Sequence, residues 1–375
     1  MRRKISISRR GVLTLMGSVG MTLAMPAVLR SRGEAAATAQ MPEMTEVPEA
    51  LKGSGEVRVV GFGGTGQTAI REAYFKPFEK LTGIKVIDSE GSDPNKVKAM
   101  VETGNVEWDV FLTSMATISR LRDQGDYFEK VNLDIIDTAN IPEQNYQEYG
   151  VDTHAFAHVI AYRNDVFPEG PKNFMEFWDT TKFPGPRTMP TGTGGFAIPP
   201  LVAAVIADGV PLDQVYPIDI PRAFKSLDRI RDSVSKFWEA EAMPIQMLVD
   251  KEVPLAIAGS GRVVQLQRDG VPVTISWHGG NLVNNSWAIP KGAANAENAR
   301  KFIAFATLPI SQARQSFLIP NGFVNRAAAQ YIPENILAEL PTSPGNVEQL
   351  VPFDYLWWKK NKPETERRWN EWILQ

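Results

Sequence analysis

EVRVVGFGGTGQTAIREAYFKPFEKLTGIKVID, residues 56–88, holds one complete strand–helix–strand unit. Glu56–Phe62 is a short β-branched run that reads as a strand, and the glycines at 61–66 interrupt it. Gln67–Leu81 then carries a helical apolar spacing, closed by Thr82-Gly83, and Ile84–Asp88 is the next strand. Asn95–Thr103 gives a second helix, Trp108–Leu112 a third buried strand, and Ala116–Gln124 the helix after it. Strands alternating with helices at this spacing indicate parallel β–α–β units and an α/β fold.

The same reading extends outward along the chain. His154–Tyr162 is a strand, residues 174–185 an aromatic helix and loop, and Phe196–Ala207 a helix. Ile220–Glu241 reads as one long helix from the spacing of Phe224, Leu227, Ile230, Val234 and Phe237. Pro254–Ala258, Val271–Trp277 and Trp287–Pro290 are further strands, Ala296–Thr307 is an apolar helix, and Phe353–Leu374 forms a tryptophan-rich tail packed onto the body. A length of 375 residues suggests about two domains.

Charge and cysteine exclude several classes of function. The chain has 40 Lys+Arg against 43 Asp+Glu and no basic block, which argues against a nucleic-acid partner. It contains no cysteine, so thiolate metal sites, thiol nucleophiles and disulfide frameworks are out. The amino terminus has the layout of an export signal: basic residues 1–10, an uncharged run Gly11–Leu29, and Ala37-Thr38-Ala39 as a cleavage site before Gln40. Ser8-Arg9-Arg10-Gly11-Val12-Leu13 fits the twin-arginine pattern. The reading is a periplasmic protein exported with residues 1–39 as signal, a flexible lead-in at 40–54, and no lipid anchor. The signal holds seven bases and one acid, so the remainder carries 33 Lys+Arg against 42 Asp+Glu, a charge of −9.

Several motifs are candidates for chemistry. Gly61-Phe62-Gly63-Gly64-Thr65-Gly66 satisfies GxGxxG after a strand and before a helix, with Asp88 at the end of the next strand. That is nearly the whole dinucleotide fingerprint, and it points to an exported nucleotide-dependent oxidoreductase. The competing reading is a ligand loop at a helix start. His154 and His158 are spaced HxxxH; on a strand, four residues at about 3.3 Å each separate them by roughly 13 Å, too far to share a metal. His158 is better read as a polar group lining a cleft. Ser260 and Arg262, in AGSGR, lack the surroundings of a hydrolase nucleophile and offer a hydroxyl and a cation to a bound solute. Thr191-Gly192-Thr193-Gly194-Gly195-Phe196 is either a linker or a second wall of a ligand site.

The order of the segments resembles the periplasmic solute-binding proteins of ABC importers, specifically the spermidine/putrescine-binding group. The resemblance rests on FKPFEKLTGIKV at 75–86, WDV at 108–110, AYRNDVFP at 161–168, and FWD with KFPG at 177–185. It is densest in SWAIPKGA at 286–293 and ARKFIAFA at 299–306, and ends with Trp357-Trp358 and ERRWNEW at 366–372. It implies a two-lobed fold (type II) with the solute in a cleft between lobes joined by two crossing segments. Lobe I comprises 55–152 and 286–325, lobe II comprises 153–285, and 326–375 packs across both. The implied partners are a small solute and an inner-membrane ABC permease, with a monomeric, non-enzymatic, cofactor-free protein. The site residues implied are Phe62, Gly63, Gly64, Thr65, Ser114, His158, Thr193, Gly194, Ser260, Arg262, Asn285 and Trp287. The chain departs from the polyamine pattern: Gly259 and Val283 stand where two tryptophans align, and Asn285 stands where the amine-binding aspartate aligns. The cleft then reads as neutral to slightly cationic, and an amino-acid-like or carboxylated solute fits as well as a polyamine.

Overall fold

The computed structural model describes residues 40–192 and 200–375. The export signal and the site candidates Thr193 and Gly194 lie outside these described residues. Strand β1 (Glu56–Gly61) passes through the glycine loop into a helical run: α1 (Gly64–Ile70), a π-helical turn (Arg71–Phe75) and α2 (Lys76–Thr82). Gly83, at φ 81°, ends the run in the left-handed region that glycine enters at no steric cost. Then come β2 (Lys85–Glu90), α3 (Pro94–Thr103), β3 (Val110–Thr113), α4 (Met115–Arg122) and the long strand β4 (Gly150–Arg163). The second half adds β5 (Arg187–Pro190), α5 (Leu201–Ala207), α6 (Ile220–Ile230), β6 (Val234–Trp238), β7 (Leu255–Gly259) and α7 (Ser260–Arg268). The long strand β8 (Val273–Pro290), α8 (Ala296–Ala306) and the tail helix α9 (Tyr355–Ile373) complete the main elements.

These strands form one sheet in the order β2-β1-β3-β8-β4-β7-β5-β6. At one end β1 runs parallel to β2 and β3, and at the other β5 runs parallel to β6 and β7. Between them β4 and β8 pair antiparallel from Val273↔Arg163 to Trp287↔Val151. One core gathers Val57, Val110, Trp287, Phe302 and Phe305; another gathers Ile160, Phe174, Leu201, Leu227 and Trp369. Strand β4 contributes Val151 to the first and Ile160 and Tyr162 to the second, so it crosses from one half of the molecule to the other, and β8 runs antiparallel beside it.

Three expectations from the sequence are corrected. Residues 220–241 are not one helix: α6 ends at Ile230, and Val234 and Phe237 belong to β6, paired with Arg187 and Met189 of β5. A sheet edge in need of a partner overrides the helical spacing there. The strands expected at 271–277 and 287–290 are one strand of 18 residues: Asn281–Asn285 pair with β4, the register shifts between Ser276 and Asn281, and the Gly279 N–H in that gap donates to the Gln349 carbonyl. The segment 40–54 is no loose lead-in, since Met44 and Leu51 are buried in the first core.

Trp358, Trp369 and Trp372 of α9 enter the second core, where the Trp372 indole donates to Asp228 at 2.7 Å and that of Trp358 to the Tyr216 hydroxyl at 2.8 Å. The first turns of α9 also reach the end of α4, where Lys359 pairs with the capping residue Asp123 at 2.5 Å. Among the described residues no helix is long and apolar enough to cross a membrane.

Candidate functional site

A cleft of about 1510 Å³ opens over the crossing strands. Of the sequence candidates, Phe62, Ser114 and Asn285 line it. Phe62 stands 38% exposed at its rim, just before Gly63 and Gly64, whose φ values of 99° and 64° make the turn possible. Thr65 is exposed in the first turn of α1. The Ser114 hydroxyl caps α4 by accepting the Thr117 N–H at 3.3 Å, which fixes its place at the cleft wall.

On β4 and β8, the pairs His154↔Asn285, Phe156↔Val283 and His158↔Asn281 follow one another without a register shift, so these side chains share one face. The Asn285 amide nitrogen lies 2.8 Å from His154 Nε2, while Asn285 Oδ1 and His154 Nδ1 are buried without a partner. Burial lowers the His154 imidazole to about 4. Beside them lies Asp152, which the sequence reading missed. Its carboxylate lines the cleft and accepts from Asn145 at 2.7 Å, Asn284 at 3.0 Å and the Ser286 hydroxyl. Burial raises it to about 6, against the pull of those three donors.

His158, Ser260 and Arg262 do not line this cleft; on the second half His158 and Arg262 act on another residue the sequence reading missed, Glu241, just beyond the end of β6. His158 Nε2 donates to Glu241 Oε1 at 2.6 Å, and the Gly259 N–H also supports the carboxylate. Burial alone would push the Glu241 carboxyl up; the charges of His158 and Arg262 and these hydrogen bonds outweigh it and hold it below the usual range. Ser260 is fully buried and its hydroxyl accepts the Ala157 N–H at 3.2 Å, so it ties strand to helix rather than facing the cleft. Arg262 is exposed in the first turn of α7. Trp287 is a correction: it is fully buried with its ring edge-on to Phe302 at 5.4 Å, under α8, and cannot stack on a solute. With Asp152 in its wall, the cleft is also more acidic than its sequence candidates suggested.

The glycine loop does not fit a dinucleotide. The Gln67 side chain is buried against Gly61, where a Cβ would sit 2.1 Å from its oxygen. Asp88, the acid expected to bind a ribose, is paired with Arg71, and Glu90 stands beside Gly63 where a pyrophosphate would need donors. The comparisons agree. Residues 73–339 match the family of bacterial extracellular solute-binding proteins. The chain belongs to that family. This solute-binding protein is 35% identical over 329 residues to a gamma-aminobutyric acid-binding protein of Pseudomonas aeruginosa, covering 86% of this chain and 92% of that one. It is 25% identical over 245 residues to the spermidine/putrescine-binding periplasmic protein of Escherichia coli, covering 62% of this chain and 68% of that one. The crystal structure of an ABC transporter substrate-binding protein from Bradyrhizobium japonicum superposes with a TM-score of 0.79 at 33% identity, covering 85% of this chain and 99% of that one. The solute-binding protein is thus a two-lobed α/β carrier of an ABC transporter that captures a small polar solute for its permease, and the oxidoreductase reading falls away.

Proposed function

We propose that the protein is exported by the twin-arginine route, works as a monomer in the periplasm without catalysing a reaction, and carries a small amino-carboxylate. The observation that carries the solute class is the Asn285 amide. Its oxygen is buried at the cleft floor without a partner, whereas buried polar atoms in folded proteins are almost always paired. A solute that donates a hydrogen bond there completes the pairing. Because an amide brings no net charge, this spot does not favour a di- or polyamine as a carboxylate would. The relative that binds gamma-aminobutyric acid, with one amine and one carboxylate, supports the same class.

Lobes at 55–152 with 286–325 and at 153–285 would close over the solute by bending where β4 and β8 cross, with residues 326–375 spanning both. The solute contacts both lobes only in the closed form, so binding shifts the population toward it. The test is thermal denaturation of residues 40–375 with 4-aminobutanoate, spermidine or glutarate. A rise in Tm with 4-aminobutanoate is expected; a rise with spermidine alone refutes the reading of Asn285.

A further inference from the structure

We propose that Arg120, on the cleft-facing side of α4, is the anchor for the carboxylate of the solute. The inference rests on the amino-carboxylate reading and adds to it which way round the solute lies.

Four cations line the cleft: Arg120, Arg326, Lys359 and Lys362. Lys359 is held by Asp123 and the Ser119 hydroxyl, and Lys362 by Glu366 at 3.4 Å. Arg326 is exposed. Arg120 is half-buried, and among the described residues its guanidinium has neither an ion pair nor a hydrogen bond. The acids around the cleft do not supply one. Asp152 is occupied by its three donors, and Asp354 caps α9 by accepting the Trp357 N–H at 2.9 Å. The exposed Glu348 forms no pair with it. A guanidinium is a rigid fork of donors matched to a carboxylate, and this one stands in the wall of a solute cleft with its donors unused.

The helix explains why it faces the cleft. Ala116, Thr117 and Arg120 recur at helical spacing and all line it, while Ile118 and Leu121 on the other side join the core with Phe111 and Phe128. A cation in the last turn also suits the carbonyl end of a helix. Arg122 meets that need as well, but it rests on the Tyr149 ring at 3.6 Å and does not line the cleft. The helix end therefore does not account for the direction of Arg120.

The same helix ties Arg120 to the Asn285 amide. Strands β3 and β8 pair Thr113 with Ser286, so one step further in this register Ser114 comes beside Asn285. Arg120 lies six residues beyond Ser114, about 9 Å of helix, and its long side chain leans back toward the helix start. Between them the Ser114 hydroxyl donates to that of Thr117 at 3.2 Å, which leaves the Thr117 hydrogen for a solute oxygen. The wall thus runs from an amide oxygen in need of a donor, past a hydroxyl, to a guanidinium in need of an acceptor. It takes a solute with its ammonium at Asn285 and its carboxylate at Arg120, joined by a short carbon chain.

The test is calorimetric titration of 4-aminobutanoate and 4-aminobutanamide into the wild type, Arg120→Gln and Arg122→Gln. The two solutes share the ammonium and differ in the carboxylate. The wild type is expected to prefer 4-aminobutanoate. Arg120→Gln should weaken that solute about tenfold or more, the worth of a charged hydrogen bond, and spare 4-aminobutanamide. Arg122→Gln removes a charge from the same helix outside the cleft and should keep the preference. The Tm without solute reports whether each variant folds. A preference that survives Arg120→Gln, an equal loss of both solutes, or an equal effect of Arg122→Gln overturns the anchor and leaves Arg120 a helix-end cation. A wild type that takes up neither solute overturns the amino-carboxylate reading together with the anchor.

Discussion

Asp152 and His154 sit two residues apart under the cleft, and burial acts on them in opposite directions. The Asp152 carboxyl moves from an ordinary 3.8 to about 6, so the folded chain holds its proton more tightly than the unfolded chain does. Its contribution to stability therefore falls as pH rises through that window and stays low above it. His154 moves from 6.5 to about 4, so here the unfolded chain holds the proton more tightly, and stability rises with pH through nearly the same window. Each shift of about 2 units corresponds to about 3 kcal/mol, with opposite signs. The two nearly cancel in the wild type, and each single substitution uncovers the other. From about pH 4 to about pH 7, Asp152→Asn should gain about 3 kcal/mol relative to the wild type, or about 4 °C in Tm for a chain of this size. His154→Gln, which keeps an amide facing Asn285, should lose a similar amount relative to the wild type over the same range. Differential scanning calorimetry of the three proteins across these pH values is the assay. Stability differences that stay constant with pH would sink the reasoning, because they would mean that neither group titrates differently in the folded chain.

Two substitutions test the packing on either side of the cleft. Gly61→Ala places a methyl 2.1 Å from the buried Gln67 oxygen and should cost about 1–3 kcal/mol in denaturant unfolding, with Gln67→Ala in the same chain restoring most of it. Trp369→Ala empties the place where the ring lies against Phe237 and Trp372, at 5.2 Å from each, and should cost about 3–5 kcal/mol by the same measurement.

The first half was legible because its signals are local. In β1, Val57, Val59 and Val60 are fully buried, and Gly83 and Gly104 stop their helices where a left-handed residue is needed. The long strands were not legible in full. Residues 278–286, HGGNLVNNS, have poor strand propensity, and nothing within them announces that His158, Ala157 and Phe156 will pair along their length. Strand formation there depends on a partner more than a hundred residues away. The GxGxxG signal was misleading for a related reason. Its glycines and acid have the right spacing, and what disqualifies the loop is a glutamine side chain folded back into the space a nucleotide would need.

Asp152 and Glu241 show how a wrong element hides the surroundings of an acid. Read as the last turn of a helix, Glu241 is one more solvated charge. Read as the residue beyond β6, it stands at the carboxyl edge of three parallel strands, facing His158. The sequence held one clue to the difference: Arg231-Asp232-Ser233 breaks the apolar spacing after Ile230, and the aromatic run Phe237-Trp238 follows. Asp152 carried no such clue, since an acid ahead of an apolar strand is ordinarily exposed. It is buried because Asn145, Asn284 and Ser286 arrive from other segments to hold it. The departures from the polyamine pattern at Gly259 and Asn285 therefore need to be read together. The carboxylate of the polyamine pattern is replaced by an amide at Asn285, while the cleft wall gains the Asp152 carboxylate on the neighbouring strand, and the room that Gly259 leaves in place of a tryptophan is taken by the Glu241 carboxylate.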